Sequence, residues 1–296
     1  MIKKIVEISR AGTHLSVKLG QLVVRRKEEP DQQIPCEDIG VLLVDHSGVT
    51  YTHTVFTTLL KHGTAVVLCN GTHHPAGMFL PIETNTVQSE RFRCQINAAE
   101  PLKKRLWKQL VRAKISHQAK LMQDDEKTAR ALKSLRDRVR SGDPDNVEAQ
   151  AARRFWQGYL QNIEFRRNRD GKHPNHLLNY GYMVMRAAVA RAICSAGLLP
   201  TLGIHHRNKY NAYCLADDMI EPFRGFVEEK VRDLCDGVSD EIDLDQHTKA
   251  ALLEVLYTPI EINGYTGPLM VGLHRTMASL QRCFAGQQKQ LDLPKL

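Results

Sequence analysis

The hydrophobic pattern of the chain changes its period once, near residue 84. Up to about residue 82, short apolar runs rich in β-branched residues lie between turn residues, which is typical of strands. Beyond that point apolar residues recur every three or four positions, as at Leu102, Leu106 and Leu110. We therefore expect an α+β fold, with a small β-rich domain over residues 1–82, a linker over residues 83–95 and a larger all-α domain over residues 96–296.

The same pattern predicts individual elements within each part. The predicted strands are residues 4–8, 14–19, 21–26, 39–44, 65–69 and 78–81, and one short helix is predicted over residues 52–60. The predicted helices of the second part begin near residue 147 or cover residues 175–196, 215–235, 246–257 and 268–284. The remainder of the second part is expected to be nearly all helical.

Charge and cysteine usage limit the classes of function. Lys and Arg total 41 against 33 Asp and Glu, giving a net charge of +8, which suits an acidic polymer or membrane surface but also fits solvated lysines. The 7 cysteines are scattered with no C-x-x-C pair, so a zinc ribbon or disulfide framework is not expected. The start of the chain has no apolar signal-peptide core, and no apolar run has the length of a membrane span. We expect a cytoplasmic protein.

A carboxylate lies on the apolar stripe of the helix predicted from Val147. Glu148 shares its face with Ala151, Phe155 and Tyr159, and Asp145 or Asn146 would cap the helix. A carboxylate facing the core needs a cation, a partner or a raised pKa. A salt bridge or the helix dipole would explain it equally well, so this residue alone does not define a site.

A second acidic cluster lies between residues 203 and 224. It contains His205, His206, Asp217, Asp218 and Glu221, and the last two are three residues apart on one predicted helical face. An imidazole together with carboxylates suits Mn²⁺ or Mg²⁺ in phosphodiester chemistry. The alternative is that the acids cap or solvate the first helical turn while the histidines bind backbone.

Basic stretches flank these acids and suit a phosphate backbone, although each alone could be a solvated face. The candidate DNA-binding residues are Lys103, Lys104, Arg105, Arg153, Arg166, Arg167, Arg169 and Arg207. Nucleotide-binding and serine-hydrolase motifs are absent from the sequence, since it contains no G-x-G-x-x-G, G-x-x-x-x-G-K-[ST], G-x-S-x-G or H-E-x-x-H.

Three segments together resemble the CRISPR-associated integrases that insert new spacers, especially those of type II systems. They are the residues around D-P-D-N-V-E-A-Q-A-A at 143–152, the run from N-Y-G-Y at 179–182 to G-I-H-H at 203–206, and D-M-I-E-P-F-R at 218–224. The resemblance covers nearly the whole chain and agrees in order and spacing. It implies a metal site of Glu148, His206 and Glu221, which are also the catalytic residues, with Asp218 and His205 near the ion.

The resemblance also implies an activity and an assembly. The 3′-hydroxyl of a short double-stranded prespacer would attack a phosphodiester of CRISPR repeat DNA, with Mn²⁺ or Mg²⁺ as cofactor. Homodimers would form through the β-rich domains and flank a small ferredoxin-like partner in a heterohexamer. Two alternatives are a generic metal-dependent nuclease, which would cut without joining strands, and a non-catalytic DNA-binding scaffold, which would need no metal.

Overall fold

The computed structural model describes residues 3–71, 73, 75–83, 85–160, 165–168, 171, 173–238 and 241–295. The strands are β1 (Lys4–Ile8), β2 (His14–Lys18), β3 (Gln21–Arg25), β4 (Gln32–Pro35), β5 (Ile39–Val44), β6 (Thr50–Tyr51), β7 (Ala65–Cys69), β8 (Pro75–Phe79), β9 (Pro259–Ile262) and β10 (Tyr265–Pro268). The helices are α1 (His53–Lys61), α2 (Gln88–Ile96), α3 (Glu100–Leu121), α4 (Glu126–Arg138), α5 (Val147–Gly158), α6 (Asn175–Ser195), α7 (Cys214–Met219), α8 (Arg224–Cys235), α9 (Gln246–Leu253) and α10 (Leu269–Phe284). The predicted fold class, a β-rich N-terminal part followed by a helical part, is confirmed. In the part of the chain that the structure describes, no helix is long and apolar enough to cross a bilayer.

Two sheets form the N-terminal part. One has the order β1-β5-β7-β8, in which β1, β5 and β7 run parallel, and the other has the order β4-β3-β2-β6. Every residue of β5 is buried, because Leu42 and Val44 pack toward the second sheet and α1 while Val41 and Leu43 pack into the helical core. A strand buried on both faces reads as a continuous apolar run, as in this sequence.

The helical part is built around α6, of which nearly every residue is buried. Helix α3 crosses this part and packs against α4, α5 and α8. Helices α3 and α8 approach closely at Gly225, where a Cβ atom would lie 2.3 Å from the His117 ring. The glycine therefore lets the acidic segment that precedes α8 lie directly beside α3.

Three details differ from the sequence-based expectations. The helix predicted over residues 215–235 is interrupted by a 3₁₀ turn, Glu221–Phe223, because Pro222 cannot continue the hydrogen bonding of α7. Strands β9 and β10 form an antiparallel hairpin where only helix was expected. The segment predicted as a linker, residues 83–95, contains most of α2.

Candidate active site

Glu148 is held at the first turn of α5 by a capping carboxylate. Asp143 accepts hydrogen bonds from the backbone N–H groups of Val147 and Glu148, each at 2.9 Å. Asp143 itself adopts a left-handed backbone conformation, with a φ of 49°. The caps expected from the sequence do not act this way, since Asp145 pairs with an arginine and Asn146 makes no side-chain cap hydrogen bond. The turn before α5 therefore fixes where Glu148 begins the helix.

The structure brings Glu148 and Glu221 together on one ammonium group. Lys114, on α3, donates a hydrogen bond to Glu148 Oε1, and its Nζ atom lies 2.6 Å from Glu221 Oε2. The Lys114 side chain is only 10% exposed and that of Glu221 only 7%, whereas Glu148 is 26% exposed. Two carboxylates far apart in the sequence thus share one buried cation.

The charges of this group support one another. Burial alone would lower the pKa of Lys114, but Glu221 and Glu148 outweigh that effect and raise it. Burial alone would raise the pKa of Glu221, yet Arg224 and Lys114 lower it to about 2. The Arg224 guanidinium donates to Glu221 Oε1 at 2.9 Å. Glu221 is therefore ionised at neutral pH, and buried cations compensate its charge.

Asp218 organises the loop that carries the histidines. Its fully buried carboxylate accepts from the backbone N–H groups of Ile204, His205 and His206 at 2.6, 2.9 and 3.2 Å, and it contacts His206 Nδ1 at 2.6 Å. A Cβ atom at Gly203 would lie 2.8 Å from the same carboxylate, so the loop requires glycine there. The hydrogen bond to Asp218 raises the pKa of His206 and leaves Nε2 as the ring nitrogen that can face a ligand.

The two adjacent histidines have different environments. The His205 ring stacks on Trp107 with a centroid distance of 4.2 Å and an interplanar angle of 2°. Desolvation lowers the pKa of His205, whereas that of His206 is raised, in part by the charge of Glu221. His206 also lines the same cleft as Glu221. The geometry therefore favours His206 over His205 as the imidazole of the site, in keeping with the predicted spacing.

No three ligands are yet arranged around one point. Among the described residues, no group of three or more His, Cys, Asp or Glu side chains is placed so that it could hold a metal ion. The structure instead joins Glu148 with Glu221 and holds Asp218 against His206. The donor set nevertheless fits Mn²⁺ or Mg²⁺, because both ions favour carboxylate oxygens and Mn²⁺ accepts imidazole. The buried ammonium of Lys114 already shows that Glu148 and Glu221 can share a cation.

Arginine side chains line the cleft beside these acids. The cleft has a volume of about 660 Å³, and its walls include His206, Glu221, Arg167, Arg186 and Arg224. Guanidinium groups bind phosphate oxygens with two parallel hydrogen bonds. A phosphodiester placed in this cleft would lie between the arginines and the acidic group.

Two of the arginines are fixed by neighbouring side chains. Arg186 donates to Asp217 at 2.6 Å, so the adjacent acids Asp217 and Asp218 have separate partners. The Arg224 guanidinium lies 4.6 Å from the centre of the Tyr182 ring. The predicted convergence of Asp218 and Glu221 on one ion is therefore not what the structure has, since Asp218 is fully occupied by the histidine loop.

Two of the predicted basic stretches meet in space. Arg207 donates to Glu100, and Lys103 Nζ lies 3.7 Å from the same carboxylate. Lys104 and Arg105 are exposed at the start of the same helix. The histidine loop and the first turns of α3 therefore form one basic surface beside the site.

The other basic candidates are more dispersed. Arg153 and Arg166 are exposed. Arg167 instead donates to Asn179 at 2.7 Å and belongs to the wall of the cleft. The candidate Arg169 lies outside the described residues.

Sequence reasoning missed Lys114 and Glu228. Lys114 lies on the stripe of α3 that also carries Leu110, Val111 and Gln118, all buried. A lysine in an apolar stripe is the same signal that singled out Glu148. Glu228, on α8, is fully buried and accepts from the Tyr182 hydroxyl at 2.8 Å, and burial raises its pKa.

Comparison with known proteins gives a consistent result. The family model described as CRISPR associated protein Cas1 matches residues 6–254. The chain is 34% identical over 288 residues to the CRISPR-associated endonuclease Cas1 of Neisseria meningitidis serogroup C, covering 96% of this chain and 94% of the relative. The fold is similar to a casposase bound to integration product, with a TM-score of 0.81 at 19% identity over 98% of this chain and 92% of that one. It is also similar to a Cas6-RT-Cas1–Cas2 complex, with a TM-score of 0.77 at 19% identity over 98% of this chain and 36% of that one.

Proposed function

The chain belongs to the CRISPR-associated Cas1 family, and on that basis we propose that it is a metal-dependent DNA integrase and endonuclease. Its substrates would be a short double-stranded prespacer and CRISPR repeat DNA. One observation carries the proposal: Glu148 and Glu221 meet at a single buried cation beside a cleft lined with arginines. Such an arrangement combines a place for a divalent ion with a place for the phosphate on which the ion acts.

The proposed reaction exchanges one phosphodiester bond for another. The 3′-hydroxyl of the prespacer loses its proton and forms a bond to a phosphorus atom of the repeat. The bond from that phosphorus to the repeat's 3′-oxygen breaks, and the released oxygen takes up a proton. Because the number of phosphodiester bonds is unchanged, no nucleotide hydrolysis is needed, in keeping with the absence of a phosphate-binding loop motif.

The side chains of the site have distinct proposed tasks. Glu148, His206 and Glu221 would hold Mn²⁺ or Mg²⁺, which supplies Lewis-acid stabilisation of the phosphorane-like transition state. Arg167 and Arg224 would bind non-bridging oxygens of the phosphate, and both lie in the wall of the cleft. The exposed basic surface at Lys104 and Arg105 would bind the DNA backbone at neighbouring phosphates.

A strand-transfer assay with separate alanine variants of Glu148, His206 and Glu221 tests the proposal. Labelled prespacer is mixed with repeat DNA and Mn²⁺, and joined product is measured by gel. Each variant should lose joining while its DNA affinity stays near the wild-type value, since affinity comes mainly from the basic surface. Glu229→Ala is the control, because this glutamate lies on the same helix but is 41% exposed and away from the cleft.

The same assay separates the alternative functions. Cleavage of repeat DNA without any joined product would indicate a generic metal-dependent nuclease, in which water is the nucleophile. Joining that persists without divalent metal and in Glu148→Ala would contradict the integrase proposal and leave only a DNA-binding role.

We further propose that the protein forms a homodimer through its β-rich part and binds a small ferredoxin-like partner in a heterohexamer. The similar fold solved within a Cas6-RT-Cas1–Cas2 complex supports this, since that assembly contains a second small CRISPR-associated protein. Exposed aromatic side chains on the β-rich part, Tyr51 and Phe79, both contact Phe56 and offer an apolar surface for the second subunit. Light scattering at micromolar concentration should give the dimer mass, and a monomer mass would contradict it.

A further inference from the structure

Lys114 is buried at the point where the proposed metal ion has to bind. Its ammonium group contacts both Glu148 and Glu221, and the side chain is 10% exposed. Lysine is almost never fully buried unless it is paired, because desolvating an ammonium group is costly. The two residues that pair with it here are the two carboxylates proposed to hold the divalent ion. The inference below therefore rests on the proposed function.

A divalent ion and the Lys114 ammonium cannot share these carboxylates in their present arrangement. With Arg224 also paired to Glu221, the ion, Lys114 and Arg224 would bring four positive charges against the two negative charges of Glu148 and Glu221. Repulsion between cations a few ångströms apart is strong in a buried site. Binding of the ion consequently requires the ammonium group to leave the carboxylates.

A second buried carboxylate stands ready to receive the ammonium. Glu228 lies on α8, which packs against α3, and interacts electrostatically with Lys114. Its Oε1 atom accepts the Tyr182 hydroxyl, but its Oε2 atom is buried and lacks a hydrogen-bond partner among the described residues. A buried carboxylate oxygen without a partner is unfavourable and requires an explanation.

We infer that Lys114 is the resident cation of the active site, and that it moves from Glu148 and Glu221 to Glu228 when a divalent ion binds. In the metal-free protein the ammonium keeps two like charges together, so that the carboxylates are positioned before the ion arrives. In the metal-bound protein the same ammonium satisfies the free oxygen of Glu228. Lys114 is thus a positioning residue that competes with the metal, and Glu228 is the residue that allows it to withdraw.

The test measures Mn²⁺ affinity by calorimetry on the full chain, without DNA. Lys114→Met removes the competing charge and nearly preserves side-chain length, so Mn²⁺ should bind about tenfold more tightly or better, as expected from removing a nearby like charge. The matched control is Lys249→Met, since Lys249 is likewise buried between two acids, Asp45 and Glu7, but distant from the cleft. Its Mn²⁺ affinity should equal that of the wild type. Unchanged or weaker Mn²⁺ binding in Lys114→Met would overturn the inference.

A double-mutant cycle tests the receiving residue. Glu228→Gln should weaken Mn²⁺ binding in the wild-type background, because the displaced ammonium loses its charged partner. In the Lys114→Met background the same change should have little effect. If Glu228→Gln weakens binding equally in both backgrounds, Glu228 acts only as a general negative charge and the proposed movement is wrong.

Two further measurements keep the outcomes separable. If Lys114→Met does not fold, Lys114→Arg retains the charge and adds bidentate donors, so it should bind Mn²⁺ more weakly than the wild type, and tighter binding would contradict the inference. Wild-type protein should show saturable Mn²⁺ binding that Glu148→Gln removes. Absence of that binding would refute the proposed function itself, whereas its presence with no effect of Lys114→Met would refute only the role of Lys114.

Discussion

Replacing Asp218 by Asn should damage both the stability of the protein and the proposed chemistry. The Asp218 carboxylate accepts from three backbone N–H groups and contacts His206 Nδ1, all without exposure to water. Asparagine keeps one acceptor oxygen but turns an N–H₂ group toward the remaining donors. At about 1–3 kcal/mol for each buried donor left unpaired, two such donors correspond to a loss of roughly 2–6 kcal/mol. His206 would also lose the partner that fixes its ring orientation.

Urea denaturation and Mn²⁺ calorimetry measure the two effects, and Asp217→Asn is the matched control. Asp217 neighbours Asp218 in sequence, but it pairs with Arg186 at a half-buried position, so its loss should cost no more than about 1 kcal/mol. Mn²⁺ affinity should fall roughly 10–100-fold in Asp218→Asn, as is usual when the residue that orients a metal-binding histidine is removed. Equal effects of the two substitutions, on either stability or affinity, would refute the role assigned to Asp218.

Further predictions concern the histidines and the basic surface. His206→Ala should abolish strand transfer, whereas His205→Ala should retain most of it and lose about 1 kcal/mol of stability with its aromatic stacking; the reverse result would place the ligand one residue earlier. Burial lowers the pKa of His117 to about 4 from 6.5, so the unfolded state takes up the proton first and stability should fall by up to about 3 kcal/mol as pH decreases from 6.5 to 4. His117→Gln should flatten that decline in pH-dependent thermal denaturation, and an unchanged decline would exclude His117 as its source. Reversing Lys104 and Arg105 to Glu should weaken binding to all DNA sequences alike and reduce the slope of affinity against salt by about two, whereas an unchanged slope would mean that neither residue contacts phosphate.

Much of the fold follows from local hydrophobic pattern. The strands β1, β5 and β7 begin and end at the predicted residues, because each is a short apolar run with clear turn residues around it. The hairpin of β9 and β10 was missed although Asn263 and Gly264 give a strong hairpin signal, and both have positive φ values, 46° and 76°. The helical expectation for this region outweighed a two-residue turn signal.

The site was predictable only in part, for a physical reason. Glu148 was identified because a carboxylate interrupts an apolar stripe, and the acidic cluster because several acids and histidines lie within a short segment. Lys114 lies in a different helix, and only the fold brings it to Glu148 and Glu221. Periodicity shows that a charged residue is buried, but not which distant charge neutralises it.

The double burial of β5 has a consequence for how the protein can be divided. Val41 and Leu43 belong to the same apolar core as the catalytic helices, and Arg191 of α6 donates to the backbone of Gly63 at 2.7 Å. A fragment beginning near residue 83 would expose that apolar face and leave the buried guanidinium of Arg191 without its acceptor. The β-rich part therefore cannot be cut away or exchanged as an independent module, and a hybrid between two relatives would have to keep the residues on both sides of this contact from the same parent.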